Sequence, residues 1–211
     1  MNKRKIYQIL ALILCIGGLF LIAKPYYDGY QAKKKQQANI EVVNKMKYSK
    51  QETKFVDASE IVQPNLADIS NAKLDKKSVI GRMVIPSISL ELPILNAATE
   101  KNLLSGAGAI KEKQEMGKGN YALAGHNMSK KGILFSDIST LNKSDKIYLY
   151  DGEYEYEYAV QQVKEVIPSE WEVVEDHGKE EITLITCITI KNNAKRYVVS
   201  GDFVQKKKME K

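Results

Sequence analysis

The sequence predicts an all-β domain with short helices, folded as a closed or nearly closed barrel and preceded by one membrane-spanning helix. After Val79, many short runs alternate between apolar and polar residues, and few helical patterns interrupt them. Asp151-Gly152 separates two of these runs and supplies the tight turn of a hairpin. Residues 131–141 carry apolar side chains at the spacing of a short amphipathic helix.

The membrane helix is predicted over residues 6–23, which are apolar apart from one glutamine. At a rise of about 1.5 Å per residue this run is about 27 Å long, close to the thickness of a bilayer core. Leu21-Ile22-Ala23 is a poor cleavage site, so we expect an uncleaved signal anchor. The positive-inside rule leaves residues 1–5 in the cytoplasm. We therefore expect a single-pass protein of the cell membrane whose β-domain is extracellular.

Composition divides the remainder of the chain into four parts. Residues 24–55 are rich in Lys and Gln and predict a stalk or tether, either helical or disordered. Apolar side chains return in residues 56–75, which we expect to pack on the domain; our hypothesis is that they regulate access to its functional groove. The predicted β-domain covers residues 76–205, and residues 206–211 form a basic tail.

The net charge of +6 does not indicate nucleic-acid binding. Residues 1–54 contain 11 Lys and Arg against 3 Asp and Glu, whereas the rest of the chain contains 21 against 23. The positive surplus therefore belongs to the anchor and stalk. A nucleic-acid-binding domain would need a basic patch with interleaved aromatic residues, and the predicted β-domain has none in its sequence pattern.

The chain has one cysteine outside the apolar run. Cys15 lies inside that run, so a disulfide to Cys187 is geometrically implausible. An unpaired thiol in an extracellular domain is more often reactive than incidental. Residues 181–188 alternate as a strand that directs Ile185 and Cys187 to a groove, and Leu184 and Ile188 to the core.

A histidine and an arginine are the candidate partners of this thiol. His126 ends a predicted strand over residues 121–126, whereas His177 lies in a polar loop and is interpreted as a surface residue. Arg196 starts the strand after the cysteine strand, and Asn192-Asn193 suits the intervening turn. A cysteine nucleophile needs a base, and a fixed positive charge stabilises an oxyanion. Together these residues indicate acyl transfer.

Two motifs in this order resemble those of the sortase family. Thr183-Leu184-Ile185-Thr186-Cys187 is similar to the TLxTC motif of sortases, and Leu123-Ala124-Gly125-His126 is similar to the segment that holds their catalytic histidine. Arg196 falls where the family has its catalytic arginine. The resemblance covers roughly residues 76–205 and is closest to class A, the housekeeping type of Gram-positive bacteria.

This resemblance implies an eight-stranded β-barrel and a cysteine transpeptidase. Such an enzyme cleaves LPxTG sorting signals of surface proteins between Thr and Gly, holds the acyl group as a thioester, and transfers it to an amine of a cell-wall precursor of the lipid II type. By motif position, Cys187 is the nucleophile, His126 is the general acid and base, and Arg196 stabilises the substrate carbonyl and oxyanion.

The expected substrate-binding residues lie beside the catalytic ones. Ala124 and Ile185 each precede a catalytic residue by two positions, which puts them on the same strand face. Thr186 precedes the nucleophile directly and is the third candidate.

We expect no required metal or other cofactor, although some relatives of this family use calcium. The acidic residues Glu172, Glu175 and Asp176 are candidate ligands, but they lack the regular spacing of a calcium loop. Calcium dependence is therefore left open.

Two alternative functions also fit part of this pattern. An L,D-transpeptidase-like enzyme also uses cysteine and histidine, but that family has a glycine where Thr186 stands, and its arginine lies closer to the cysteine. The other alternative is a membrane-tethered binding module without enzymatic activity, in which Cys187 is a buried core thiol.

Overall fold

A computed structural model describes residues 3–56, 63–128, 130–167, 169–188 and 195–209. Eight strands form a closed barrel in the order β1-β2-β3-β4-β7-β8-β6-β5, which confirms the predicted fold class. The strands are β1 (Val79–Ile85), β2 (Leu90–Leu95), β3 (Ala107–Ala109), β4 (Asn120–Ala124), β5 (Lys146–Tyr150), β6 (Tyr154–Val166), β7 (Glu181–Cys187) and β8 (Arg196–Lys208). The helices are α1 (Lys3–Val43), α2 (Leu66–Asn71) and α3 (Glu100–Leu103).

Most neighbouring strands are antiparallel, and two pairs are parallel. The parallel pairs are β2 with β3 and β4 with β7. β5 joins β1 and closes the barrel. The inward-facing aliphatic and aromatic side chains form one continuous core, which includes Leu123, Tyr158 and Leu184. Closure pairs the strand edges that an open sheet would leave exposed.

The predicted hairpin at Asp151-Gly152 is confirmed. β5 and β6 pair from Lys146–Ala159 to Tyr150–Glu155. Gly152 has φ of +93°, a conformation that favours glycine in a tight turn. β6 then continues alongside β8, and both strands are 13 residues long.

Helix α1 includes much of the predicted stalk. Its apolar part is unburied and is long and apolar enough to cross a membrane. The same helix continues to Val43, where Ala32, Ile40 and Val43 are buried against the domain. The backbone N–H of Leu134 donates to the Gln36 side chain at 3.0 Å. The part of the stalk up to Val43 is therefore helical and packed on the barrel.

The segment at residues 63–75 packs on the domain. Asn65 caps α2 through a reciprocal pair of hydrogen bonds with Asp68. Ile69 is 2% exposed and belongs to the main core. Residues 57–62 lie outside the described residues, and a regulatory role for the segment stays a hypothesis.

Two predictions about local structure are wrong. Residues 131–141 form turns and a short 3-10 helix (Ile138–Thr140) instead of an amphipathic helix. Gly132 and Leu134 have φ of +76° and +47°, which are incompatible with a right-handed helix. The barrel also extends into the predicted basic tail, because residues 206–208 pair with residues 154–156 in β8 and β6.

Candidate active site

Three adjacent strands bring the histidine, cysteine and arginine to one end of the barrel. Ala124 of β4 pairs with Ile185 of the parallel strand β7, and His126 and Cys187 each follow two positions later. Cys187 pairs directly with Arg196 across the antiparallel strands β7 and β8. The predicted Asn192-Asn193 turn between these strands lies outside the described residues. The register therefore places the three residues side by side at the same end of three adjacent strands.

His126 is buried next to a tightly packed aromatic ring. The residue is 4% exposed, and its backbone carbonyl accepts a hydrogen bond from the N–H of Phe135 at 3.0 Å. A Cβ atom at Gly125 would lie 2.5 Å from the Phe135 ring, so only glycine permits this approach. Within the described residues, Nε2 of His126 has no hydrogen-bond partner. Burial lowers the pKa of His126 to about 4.

The thiol of Cys187 is half-buried, and two effects act on its pKa in opposite directions. Burial raises its pKa, and the positive charge of Arg196 acts in the opposite direction. Arg196 is itself half-buried, and its Nη1 donates to the carbonyl of Lys195 at 3.3 Å. Burial thus favours the neutral thiol and the neutral imidazole near pH 7.

The low pKa of His126 predicts a specific loss of stability in acid. Between pH 6.5 and pH 4 the unfolded chain protonates this imidazole and the folded protein does not, so the free energy of unfolding falls as the pH falls. The His126 contribution to this loss is about 3 kcal/mol at pH 4, from about 1.36 kcal/mol per pKa unit. Urea unfolding at both pH values, compared between the wild type and His126→Asn, measures it. An equal pH dependence in the two proteins would contradict the burial of a neutral imidazole.

Ala124 and Ile185 lie on the face predicted for the substrate groove. Both are half-buried, and they pack against a small apolar cluster separate from the main core, composed of Ile110, Ala122 and Val174. Ala124 and Ile185 lie two positions before His126 and Cys187, so each pair lies on the same face of its strand. An apolar surface therefore adjoins the candidate catalytic residues, and substrate contact by Ala124 and Ile185 stays a prediction.

Thr186 lies on the opposite strand face, which argues against the predicted substrate contact. It is 3% exposed, and its hydroxyl donates to the Gly125 carbonyl at 2.7 Å. The alternation of β7 accounts for this position, since successive side chains point to opposite faces. Leu184 is fully buried in the core as predicted. Ile188 is only half-buried, so its predicted place in the core is wrong; β7 ends one residue earlier.

The side chain of Asn127 contacts the cysteine strand, which sequence reasoning missed. Its amide donates to the carbonyl of Cys187 at 2.9 Å and to that of Ile188 at 3.4 Å. Adjacency to His126 is the only signal in the sequence, and it does not reveal where an amide points.

His177 lies at the other end of β7, in the polar loop before it. Its Nδ1 is 2.6 Å from a carboxylate oxygen of Glu181, and its Nε2 is 3.1 Å from the backbone carbonyl of Glu172. β7 runs from Glu181 to Cys187, so His177 is separated from the candidate nucleophile by the length of a strand.

Lysines lie near the loop that holds the candidate calcium ligands Glu172, Glu175 and Asp176. Lys179 forms ion pairs with Glu181 and Asp202, both at 3.1 Å. The nearby charges of Asp176, Glu181 and Glu175 oppose the lowering of the Lys111 pKa that burial causes. Among the described residues, no group of three or more His, Cys, Asp or Glu side chains is arranged to hold a metal ion.

Comparisons with known proteins show the family of the chain. Residues 83–204 match the family model of the Sortase domain. The chain is 68% identical to Sortase A of Bacillus anthracis, with 97% of both chains covered, and 32% identical to Sortase A of Listeria monocytogenes, with 97% of this chain and 94% of the relative covered. The crystal structure of Listeria monocytogenes sortase A superposes with a TM-score of 0.62 at 39% identity, covering 64% of this chain and 92% of that one. The chain therefore belongs to the sortase family of cysteine transpeptidases, in class A.

Proposed function

We propose that this protein cleaves LPxTG sorting signals between Thr and Gly and joins the released carboxyl end to an amine of a cell-wall precursor of the lipid II type. The observation that supports this most directly is the strand register, which aligns His126, Cys187 and Arg196 across β4, β7 and β8. Cys187 is half-exposed and lies beside a positive charge. Both features disfavour the alternative of a buried core thiol.

In the acylation step, the Cys187 sulfur attacks the carbonyl carbon of the substrate threonine. The thiolate that attacks arises when the thiol proton moves to His126. Arg196 donates hydrogen bonds to the carbonyl oxygen as negative charge develops on it. His126 then gives its proton to the departing glycine amine, so that the Thr–Gly bond breaks and a thioester remains on Cys187.

In the transfer step, the amine of the precursor attacks the thioester carbonyl. His126 is neutral after acylation because burial holds its pKa low, so it accepts a proton from the attacking amine. The sulfur of Cys187 leaves and takes up that proton, and a new amide bond joins the surface protein to the precursor. The products leave the enzyme in its starting protonation state.

The proposed location places this chemistry at the outer surface of the cell membrane. The apolar part of α1 meets the length and composition of a membrane span. Basic residues precede it, which favours a cytoplasmic amino terminus and an extracellular barrel in a single-pass topology. Both proposed partners, the surface proteins and the lipid-linked precursor, are available on that side.

The function is tested with the full chain in detergent, an LPxTG peptide and a glycine-based amine. We expect a peptide–amine conjugate that contains the peptide up to its threonine. A peptide in which the threonine is replaced by valine keeps the size but removes the hydroxyl, and serves as a specificity control. Hydrolysis or transfer that does not depend on the LPxTG sequence would contradict the proposed substrate.

Replacing Arg196 by alanine is expected to lower kcat/KM by about 10³-fold, because the oxyanion loses a charged donor. Arg196→Lys keeps the charge but loses the planar fork of donors, so we expect it to restore only part of the rate. The matched control is Lys195→Ala, which removes a neighbouring positive charge that is paired with Glu165 at 3.1 Å. If the alanine variants at positions 195 and 196 lowered kcat/KM equally, the loss would come from the reduced positive charge of the region. That result would contradict a specific donor role for Arg196.

We propose that transpeptidation requires no metal ion. Lys111 already supplies positive charge near Asp176 and Glu175, the role that a calcium ion would otherwise have there. Addition of a chelator is therefore expected to leave the peptide cleavage rate unchanged. A rate that falls with chelator and recovers with calcium would contradict this proposal.

A further inference from the structure

Backbone pairing between β4 and β7 gives way to side-chain hydrogen bonds where the candidate catalytic residues begin. Backbone pairing extends to Ala124 and Ile185 and ends with a hydrogen bond from the Gly125 N–H to the Ile185 carbonyl at 3.1 Å. Beyond this point two side chains connect the segments. The Thr186 hydroxyl reaches the Gly125 carbonyl, and the Asn127 amide reaches the Cys187 carbonyl.

Asn127 is itself firmly held on the histidine side. It is 8% exposed and forms an antiparallel backbone bridge with Leu134. Its carbonyl accepts a hydrogen bond from the Gln63 side chain at 2.8 Å. The preceding residue, His126, is anchored by the Phe135 N–H in the same turn. One end of Asn127 therefore moves with the imidazole, and the other end holds the backbone of the nucleophile.

We propose that Asn127 is a positioning residue that sets the distance and orientation of the Cys187 thiol relative to His126. The expected effect on the rate rests on the proposed acyl transfer. The position of the thiol relative to the imidazole does not depend on which substrate the protein uses. A buried amide that donates to the carbonyl of the nucleophile fixes the backbone from which the sulfur projects. Displacement of a reacting group by about 1 Å is enough to lower a rate by about 10²-fold.

Two variants in the full chain separate positioning from folding. Asn127→Ala removes the amide, and Asn127→Leu removes it while keeping the branched shape of the side chain. The matched control is Asn120→Ala at the opposite end of β4, where the amide donates to the carbonyls of Val173 and Glu175 at 3.1 and 3.0 Å. All three variants lose buried side-chain hydrogen bonds from the same stretch of chain.

The first measurement is kcat and KM for the LPxTG peptide, normalised to the fraction of Cys187 that iodoacetamide titrates. We expect both Asn127 variants to lower kcat by about 10- to 100-fold with KM unchanged. Asn120→Ala is expected to lower the melting temperature and leave the normalised kcat unchanged. Wild-type kcat in Asn127→Leu, or an equal loss of kcat in the Asn120 variant, would overturn the proposal.

The second measurement is the pH dependence of Cys187 alkylation, which requires no peptide substrate. In the wild type the positive charge of Arg196 favours the thiolate and the imidazole of His126 can accept the thiol proton, whereas a displaced thiol loses both influences. We expect the alkylation profile of both Asn127 variants to shift to higher pH, and that of Asn120→Ala to coincide with the wild type. Unshifted profiles in the Asn127 variants would overturn the proposal even if the chain did not act on LPxTG peptides.

Discussion

Replacing Cys187 by alanine is expected to abolish both cleavage of an LPxTG peptide and its transfer to an amine. The methyl group of alanine cannot form a thioester, and the register places no second thiol near His126 or Arg196. The other cysteine, Cys15, lies on the apolar part of α1. The fold should survive the substitution, because Cys187 is half-buried at the end of β7 and contributes little to the core.

Cys15→Ala is the matched control for this loss. It removes the same functional group from the apolar part of α1 and should leave kcat/KM at the wild-type value. Residual transfer by Cys187→Ala, assayed by mass spectrometry of the peptide–amine product, would contradict a role for Cys187 as nucleophile. Loss of activity in Cys15→Ala would point instead to a requirement for the anchor helix.

The second large effect is expected for His126→Ala, which should lower kcat/KM by about 10³- to 10⁴-fold. The alanine variant loses the acceptor of the thiol proton and the donor to the departing amine at once. Because burial holds the pKa of His126 at about 4, the imidazole returns to its neutral form after each step. The peptide should still bind, so the loss should appear in kcat more than in KM.

His177→Ala is the control for the second experiment, since it removes the chain's other histidine. His177 bonds to Glu181 and to the Glu172 carbonyl at the far end of β7. We expect this variant to retain wild-type kinetics. A small effect of His126→Ala on single-turnover acylation would contradict the proposed proton transfer, whichever result the His177 variant gives.

Alternation along the strands made much of the site predictable. Alternation along residues 181–188 predicted that Ile185 and Cys187 lie on one strand face and Leu184 on the other. In the structure Leu184 is buried in the core and the other two are half-buried. The position of Arg196 opposite the cysteine followed from two antiparallel strands joined by a short connection. Local rules of this kind work because a β-strand has a side-chain period of two, whatever its neighbours are.

Tertiary packing explains what the sequence left hidden. The region with Ile133, Phe135 and Ile138 has helical spacing, yet left-handed backbone at Gly132 and Leu134 turns the chain and still buries these side chains. The docking of the later part of α1 was equally hidden, because residues 31–37 are mostly Lys and Gln while a few small and aliphatic residues nearby make the contact. In both cases the partner surface comes from distant parts of the chain, which spacing alone cannot reveal.

Cys187 is expected to carry an acyl group during turnover. The most direct measurement is the intact mass of the full chain incubated with an LPxTG peptide in the absence of added amine and quenched in acid. We predict an added mass equal to the acyl portion of the peptide up to its threonine, located on Cys187 by fragmentation and removed by hydroxylamine. An unmodified chain under conditions in which the peptide is cleaved, or an adduct that persists in Cys187→Ala, would contradict the account.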